Sequence, residues 1–149
     1  MIRVSVHAEP IDIAAALAEA EVPGAGGIAT FTGIVRADDG VSVLELEHYP
    51  GATEAALEAL ADQAAERWAL RAVTIIHRVG AMVPGDRIVF IATAAAHRAP
   101  ALDACAYLID RLKTDAPFWK REMTGGDARW VDARDSDDAA AARWASKTD

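Results

Sequence analysis

The chain has 149 residues, a formal net charge of −8 and a hydrophobic fraction of 52%. This length suits a single domain over residues 1–149 and is too short for two domains with separate cores. The apolar fraction excludes a disordered chain, and the negative charge argues against a protein that binds nucleic acid over a broad surface. Cys105 is the single cysteine and no segment has the length of a membrane span, so we expect a cytoplasmic protein without disulfides or a metal site.

The apolar pattern predicts alternating strands and helices along the chain. In chain order these are a strand over 2–7, a helix from about Pro10 to before Val22, strands over 28–36 and 41–49, a helix over 54–68, strands over 72–79 and 87–95, a helix over 100–114, strands over 118–122 and 129–133, and a helix over 136–146. The Asp39-Gly40 pair favours a tight turn, which predicts an antiparallel hairpin from the second and third strands. The predicted fold class is α+β, with antiparallel sheets and helices packed on one face.

The sequences of two helices predict a cap in one and the positions of side chains in the other. Thr53 is predicted to cap the helix over 54–68. In the helix over 100–114, Leu102 and Cys105 belong to an apolar stripe, and Lys113 lies three turns beyond Leu102 on the same side. This spacing predicts that the Lys113 side chain follows the core-facing side of the helix, and that Cys105 is a buried, unreactive thiol.

His97 and Arg98 lie where a predicted strand gives way to a predicted helix. The free N–H groups and the positive dipole end at a helix start favour an anion, and these two side chains add donors suited to phosphate or carboxylate. Arg36, at the end of another strand, offers a guanidinium in the same way. Taken alone, these residues are better explained as solvated surface arginines and a packed, hydrogen-bonded histidine.

Lysine is rare in this chain: 12 of the 15 basic residues are Arg, and Lys113 and Lys120 are two of the three lysines. A lysine that loses solvent can change its pKa and act as an acid, a base or a nucleophile, whereas arginine stays charged. A lysine in the last turn of a helix also simply stabilises the helix dipole. His48 and His77 have no partner at metal-ligand spacing, so both are interpreted as structural.

Six segments, in order and at consistent spacing, resemble the large, catalytic subunit of molybdopterin synthase. They are FTGIVR (31–36), LELEHYPGAT (44–53), VTIIHRVGAMVPGD (73–86), AHRAPALDAC (96–105), LKTDAPFWKRE (112–122) and RWVDARDSD (129–137). The resemblance extends from about Ile28 to Trp144. It implies an α/β hammerhead fold and a central homodimer with one small subunit at each end, forming a heterotetramer.

The resemblance also implies an activity. The family inserts two sulfur atoms into cyclic pyranopterin monophosphate and forms the dithiolene of molybdopterin, and we expect no cofactor. The sulfur donor is a small ubiquitin-like subunit with a thiocarboxylated C-terminal Gly-Gly. This chain ends in Lys147-Thr148-Asp149, so we do not expect it to be the carrier. The alternatives are a non-catalytic domain that binds a phosphorylated small molecule, and a scaffold dimer.

Site residues follow from the same resemblance. The catalytic role falls on Lys113, with Lys120 sharing it or orienting the pterin. The implied substrate contacts are Arg36, His97, Arg98, Lys113, Lys120, Arg121, Glu122 and Arg134, the last from either the same or the neighbouring subunit. Ile34 stands where family members often have lysine, so no essential side-chain role is expected there.

Overall fold

The computed structural model describes residues 1–36, 40–124 and 127–131, together with 142 and 144. Its elements are β1 (Ile2–His7), α1 (Ile13–Ala20), β2 (Gly27–Ile34), β3 (Val41–His48), α2 (Ala52–Trp68), β4 (Ala72–Arg78), β5 (Gly80–Met82), β6 (Arg87–Ala95), α3 (Arg98–Asp115), β7 (Phe118–Thr124) and β8 (Asp127–Val131). The α+β class is confirmed, and β5 is a strand that the sequence did not predict. The predicted helix over 136–146 lies outside the described residues, except for 142 and 144.

The strands form two four-stranded sheets, the first in the order β1-β4-β6-β2 and the second in the order β5-β3-β7-β8. The pair β1–β4 is parallel and the other pairs are antiparallel. The predicted hairpin of β2 and β3 is therefore wrong, because β2 pairs with β6 while β3 lies in the second sheet between β5 and β7. The reason is burial: β6 is buried along almost its whole length and needs a strand on each edge.

Helices cover both faces of the first sheet. On one face α2 and α3 pack against Ile75 and Ile91. On the other face α1 packs against Ile76 and Phe90. Successive residues of a strand point to opposite faces, so consecutive apolar residues in β4 and β6 require cover on both sides. The helices were expected on one face, and α1 departs from that expectation.

The start of α2 is tied to the turn that follows α3. Gly51, with φ of 87°, is the N-cap, and its N–H donates to the Glu54 carboxylate at 2.7 Å. Thr53, predicted as the cap, is instead a fully buried residue inside the helix. Its hydroxyl accepts from the Tyr49 N–H at 3.0 Å and donates to the Pro117 carbonyl at 3.4 Å. The Thr53 side chain thus joins two turns of the chain.

The buried side of α3 differs from the predicted stripe. Leu102 is 59% exposed and Lys113 is also exposed, whereas Ala101 and Leu108 are buried. Leu102 and Lys113 do share a side of the helix, as their spacing requires, but that side faces solvent. The prediction that Lys113 follows the core was wrong for this reason. Cys105 is buried, as predicted, and burial raises the pKa of its thiol to about 11, so the thiol stays protonated at neutral pH.

Candidate active site

The predicted site residues lie at two ends of the first sheet. In the strand register, His77, Val89 and Gly33 are level with one another across β4, β6 and β2. Gly27 and Ala95 are level at the other end. The six-residue step along β2 from Gly27 to Gly33 corresponds to about 20 Å. We call the level of His77 the lysine end and the level of Gly27 the helix-start end.

His97 and Arg98 lie at the helix-start end. His97 is the N-cap of α3, Arg98 is its first residue, and both are exposed. The Thr93 hydroxyl of β6 donates to the Ala101 carbonyl at 2.7 Å and fixes the first turn of α3 on the sheet. The structure therefore confirms the strand-to-helix junction, with its helix dipole and two cationic or donor side chains facing solvent.

Gly26 sets the position of this junction. Its N–H donates to the Ala95 carbonyl at 2.8 Å, and a Cβ at Gly26 would lie 2.0 Å from the Ala96 carbonyl oxygen. We expect Gly26→Ala to displace Ala96 and the adjacent His97, at a cost of about 1–3 kcal/mol in stability. Thermal unfolding measures the loss of stability, and calorimetric titration with the phosphorylated pterin that the resemblance implies measures the effect on binding.

Gly27 supplies the matched control for that substitution. A Cβ there would lie 3.4 Å from the Arg98 Cα, an ordinary van der Waals distance. We therefore expect Gly27→Ala to keep the melting temperature, and any affinity for that pterin, close to those of the unmodified protein. Equal losses in the two variants would contradict the role given to Gly26.

Lys113 and Lys120 lie at the lysine end. Lys113 is in the last turn of α3 and exposed, and Lys120 is half-buried on β7, level with Leu46 of β3. Burial lowers the pKa of His77 to about 4, and the positive charges of Lys113 and Lys120 act in the same direction. The structure thus brings both lysines into the surroundings of one buried histidine.

Arg36 also belongs to the lysine end. It follows β2 by two residues, beyond Gly33, and its side chain is exposed. Ile34 is 55% exposed and hydrophobic. One chain therefore holds Arg36 at the end where the lysines lie, and holds His97 and Arg98 at the opposite end. The structure does not bring these two groups together within a single chain.

The remaining predicted residues divide between the two faces of the second sheet. Glu122 is half-buried and shares a face of β7 with Lys120, because the two are two residues apart. Arg121 points to the other face, where its guanidinium donates to the Glu45 carboxylate at 3.0 Å. Arg134 lies outside the described residues.

His77 was not predicted to belong to the site. It lies near the two lysines, and 5% of its surface is exposed. Its ring stacks on Phe118, with centroids 4.0 Å apart and planes at 22°. The one signal in the sequence was a histidine within the apolar run VTIIHRV. Among the described ranges, no group of three His, Cys, Asp or Glu side chains is arranged to hold a metal ion, and no helix is long and apolar enough to cross a membrane.

Comparison with known proteins identifies the family. The family model described as MoaE protein matches residues 6–115. The molybdopterin synthase catalytic subunit of Cereibacter sphaeroides is 49% identical over 148 residues, covering 95% of this chain and 99% of that protein. The catalytic subunit of Escherichia coli K12 is 53% identical over 122 residues, covering 80% of this chain and 81% of that protein.

A solved structure agrees with the sequence comparison. The molybdopterin biosynthesis MoaE protein from Burkholderia ambifaria superposes with a TM-score of 0.84 at 48% identity, covering 97% of this chain and 99% of that one. Fold and sequence therefore point to the same group of proteins. The chain belongs to the MoaE family, that of the molybdopterin synthase catalytic subunits.

Proposed function

We propose that this protein transfers sulfur to cyclic pyranopterin monophosphate and forms the dithiolene of molybdopterin. The observation that carries the proposal is the placement of Lys113 and Lys120 around one buried histidine, in a chain with three lysines. Relatives about half identical to this chain are molybdopterin synthase catalytic subunits, which supports the same activity here. The expected location is the cytoplasm.

The sulfur donor is a small ubiquitin-like partner whose C-terminal Gly-Gly is a thiocarboxylate. Donor and substrate are both anions, so bringing them together costs electrostatic repulsion that local cations offset. Lys113 is exposed at the end of α3, so its ammonium group is accessible to a C-terminus that a partner protein delivers. The negative charge of the whole chain does not oppose this, because the cations are local.

Each sulfur insertion needs charge neutralisation and a proton. Lys113 neutralises the thiocarboxylate and donates a proton as the bond between the acyl carbon and sulfur breaks. The sulfur forms a bond to a carbon of the pterin and displaces the oxygen bound there, which leaves as water or with the phosphate. Water attacks the acyl carbon as the acyl carbon–sulfur bond breaks, so the partner's C-terminus is released as a carboxylate and the sulfur stays on the pterin. Lys120, half-buried beside Glu122, orients the pterin or shares the proton transfer. A second carrier molecule repeats the step at the adjacent carbon.

A complete site on this account requires two copies of the chain. His97 and Arg98 lie about 20 Å from the lysine end along the sheet, too far to bind the phosphate of a pterin held by Lys113. In the proposed homodimer, His97 and Arg98 of one copy face Arg36 and the lysines of the other. One small subunit at each lysine end then gives a heterotetramer.

Three further residues act at the proposed site. Glu122 is placed to assist Lys120. Arg121 acts from the opposite face through its pair with Glu45, by holding β7 against β3. Arg134 completes the pocket from the same or the neighbouring copy.

A conversion assay tests the function. The purified chain is mixed with cyclic pyranopterin monophosphate and thiocarboxylated partner, and the pterin is followed by mass spectrometry. We expect the mass of the dithiolene product, and no change with a partner that ends in an ordinary carboxylate. Pterin binding without product would favour a non-catalytic binding domain, and absence of both would favour a scaffold dimer.

A further inference from the structure

His77 lies at the corner where the two sheets meet. It is the second-to-last residue of β4, and the chain passes through Arg78 and Val79 into β5 of the second sheet. Its ring stacks on Phe118, the first residue of β7, with centroids 4.0 Å apart. A single ring contact therefore connects the end of a central strand of the first sheet to the strand that carries Lys120.

A hydrogen bond holds the His77 ring, and backbone contacts hold Phe118 at its position in the strand. The Nδ1–H of His77 donates to the Arg78 carbonyl at 2.8 Å, because a carbonyl oxygen only accepts. Phe118 is level with His48 of β3, whose Nε2 lies 3.5 Å from the Glu54 carboxylate. The backbone N–H of Phe118 donates to the Ala116 carbonyl at 2.9 Å. The stack is thus held at the turn between Lys113 and Lys120.

An uncharged His77 ring is compatible with the two lysines near it. Burial, assisted by the charges of Lys113 and Lys120, lowers its pKa to about 4, so the ring is uncharged at neutral pH. A cation at the same position would repel both ammonium groups in a poorly solvated corner. An uncharged aromatic ring provides contact area for Phe118 without adding to that repulsion.

We propose that His77 is a positioning residue for the two lysines. Its uncharged ring stacks on Phe118, fixes the turn between α3 and β7, and so sets the positions of Lys113 before the turn and Lys120 after it. It acts through Phe118 and not by touching substrate. This inference rests on the proposed sulfur transfer, in which both lysines serve one reaction.

Two substitutions at position 77 separate ring stacking from bulk structure. His77→Ala removes the stack and should lower kcat by about tenfold or more, since small misplacements of reacting groups cost one to two orders of magnitude. His77→Phe keeps an uncharged ring and should recover kcat to within about threefold of the unmodified protein. Circular dichroism and the melting temperature verify the fold of each variant. A folded His77→Ala with unchanged kcat overturns the proposal, as does an equal loss in His77→Phe.

Phe118→Ala tests the other side of the stack and serves if His77→Ala does not fold, because Phe118 is only half-buried. Phe118→Ala should lower kcat as His77→Ala does. The double variant should have a kcat no lower than that of the less active single variant. Losses that multiply in the double variant, or an unchanged kcat in Phe118→Ala, would show that the two rings do not act together.

A spectroscopic readout separates this inference from the proposed function. Labelling with ¹³C-lysine gives three ε-carbon resonances, because the chain has three lysines. His77→Ala should shift the resonances of Lys113 and Lys120, assigned from Lys113→Arg and Lys120→Arg, and unshifted resonances overturn the inference. Shifted resonances in a protein that makes no dithiolene would support the positioning role and contradict sulfur transfer instead.

Discussion

Lys113→Ala should reduce turnover at least about 100-fold, because general acid catalysis contributes two to four orders of magnitude. The fold should survive the change. The side chain is exposed in the last turn of α3, and its interaction with the helix dipole contributes about 0.3–1 kcal/mol. Steady-state kcat with thiocarboxylated partner and saturating pterin measures the effect, and calorimetry verifies that the partner still binds.

Two variants serve as controls for this result. Lys113→Arg keeps a positive charge at the helix end but does not release a proton near neutral pH, so binding should be retained while turnover stays low. Lys147→Ala removes the one lysine to which no role is given and should leave kcat unchanged. Turnover near normal in Lys113→Ala would exclude the catalytic role of this residue.

Mixing two inactive variants should restore activity. Lys113→Ala and Arg98→Ala damage opposite ends of the chain, which belong to different copies at each proposed site. Random reassociation makes half of the dimers mixed, and one of the two sites in each mixed dimer is intact, so about a quarter of the normal activity should return. The measurement is kcat before and after the two variants are dissociated together and allowed to reassociate.

A second mixture provides the control. Lys113→Ala and Lys120→Ala both damage the lysine end, so every site in their mixed dimers lacks one lysine and no activity should return. If the Lys113→Ala and Arg98→Ala mixture also stays inactive, although each variant folds and forms dimers, the site does not combine residues of two chains.

Most elements could be predicted because their signals are local. Alternation marked β1, a run of β-branched and apolar residues marked β4, and Pro117 marked the end of α3 near Asp115. The pairing of strands could not be predicted in the same way. The Asp39-Gly40 turn signal carries no information on the edge that buried β6 leaves open, and β2 occupies that edge. The prediction of one domain over 1–149 stays a prediction.

The residues of the candidate site come from the resemblance and stay predictions, and their division between two ends of the sheet was not predicted. A helix rises 1.5 Å per residue, so the predicted helix alone separates Pro100, two residues after Arg98, from Lys113 by about 20 Å. The separation of the two groups therefore follows from the sequence. The contact of His77 with Phe118 does not, because it joins two sheets across 41 residues and no periodic pattern links the two positions.

Single-turnover mass spectrometry tests the central claim most directly. The enzyme, in excess over cyclic pyranopterin monophosphate, is mixed with thiocarboxylated partner and quenched over time. Sulfur transfer predicts one dithiolene for about two thiocarboxylates converted to carboxylates, since each carrier delivers one sulfur atom to the site and is then exchanged. Bound pterin that stays unchanged while the thiocarboxylates remain intact would contradict the account.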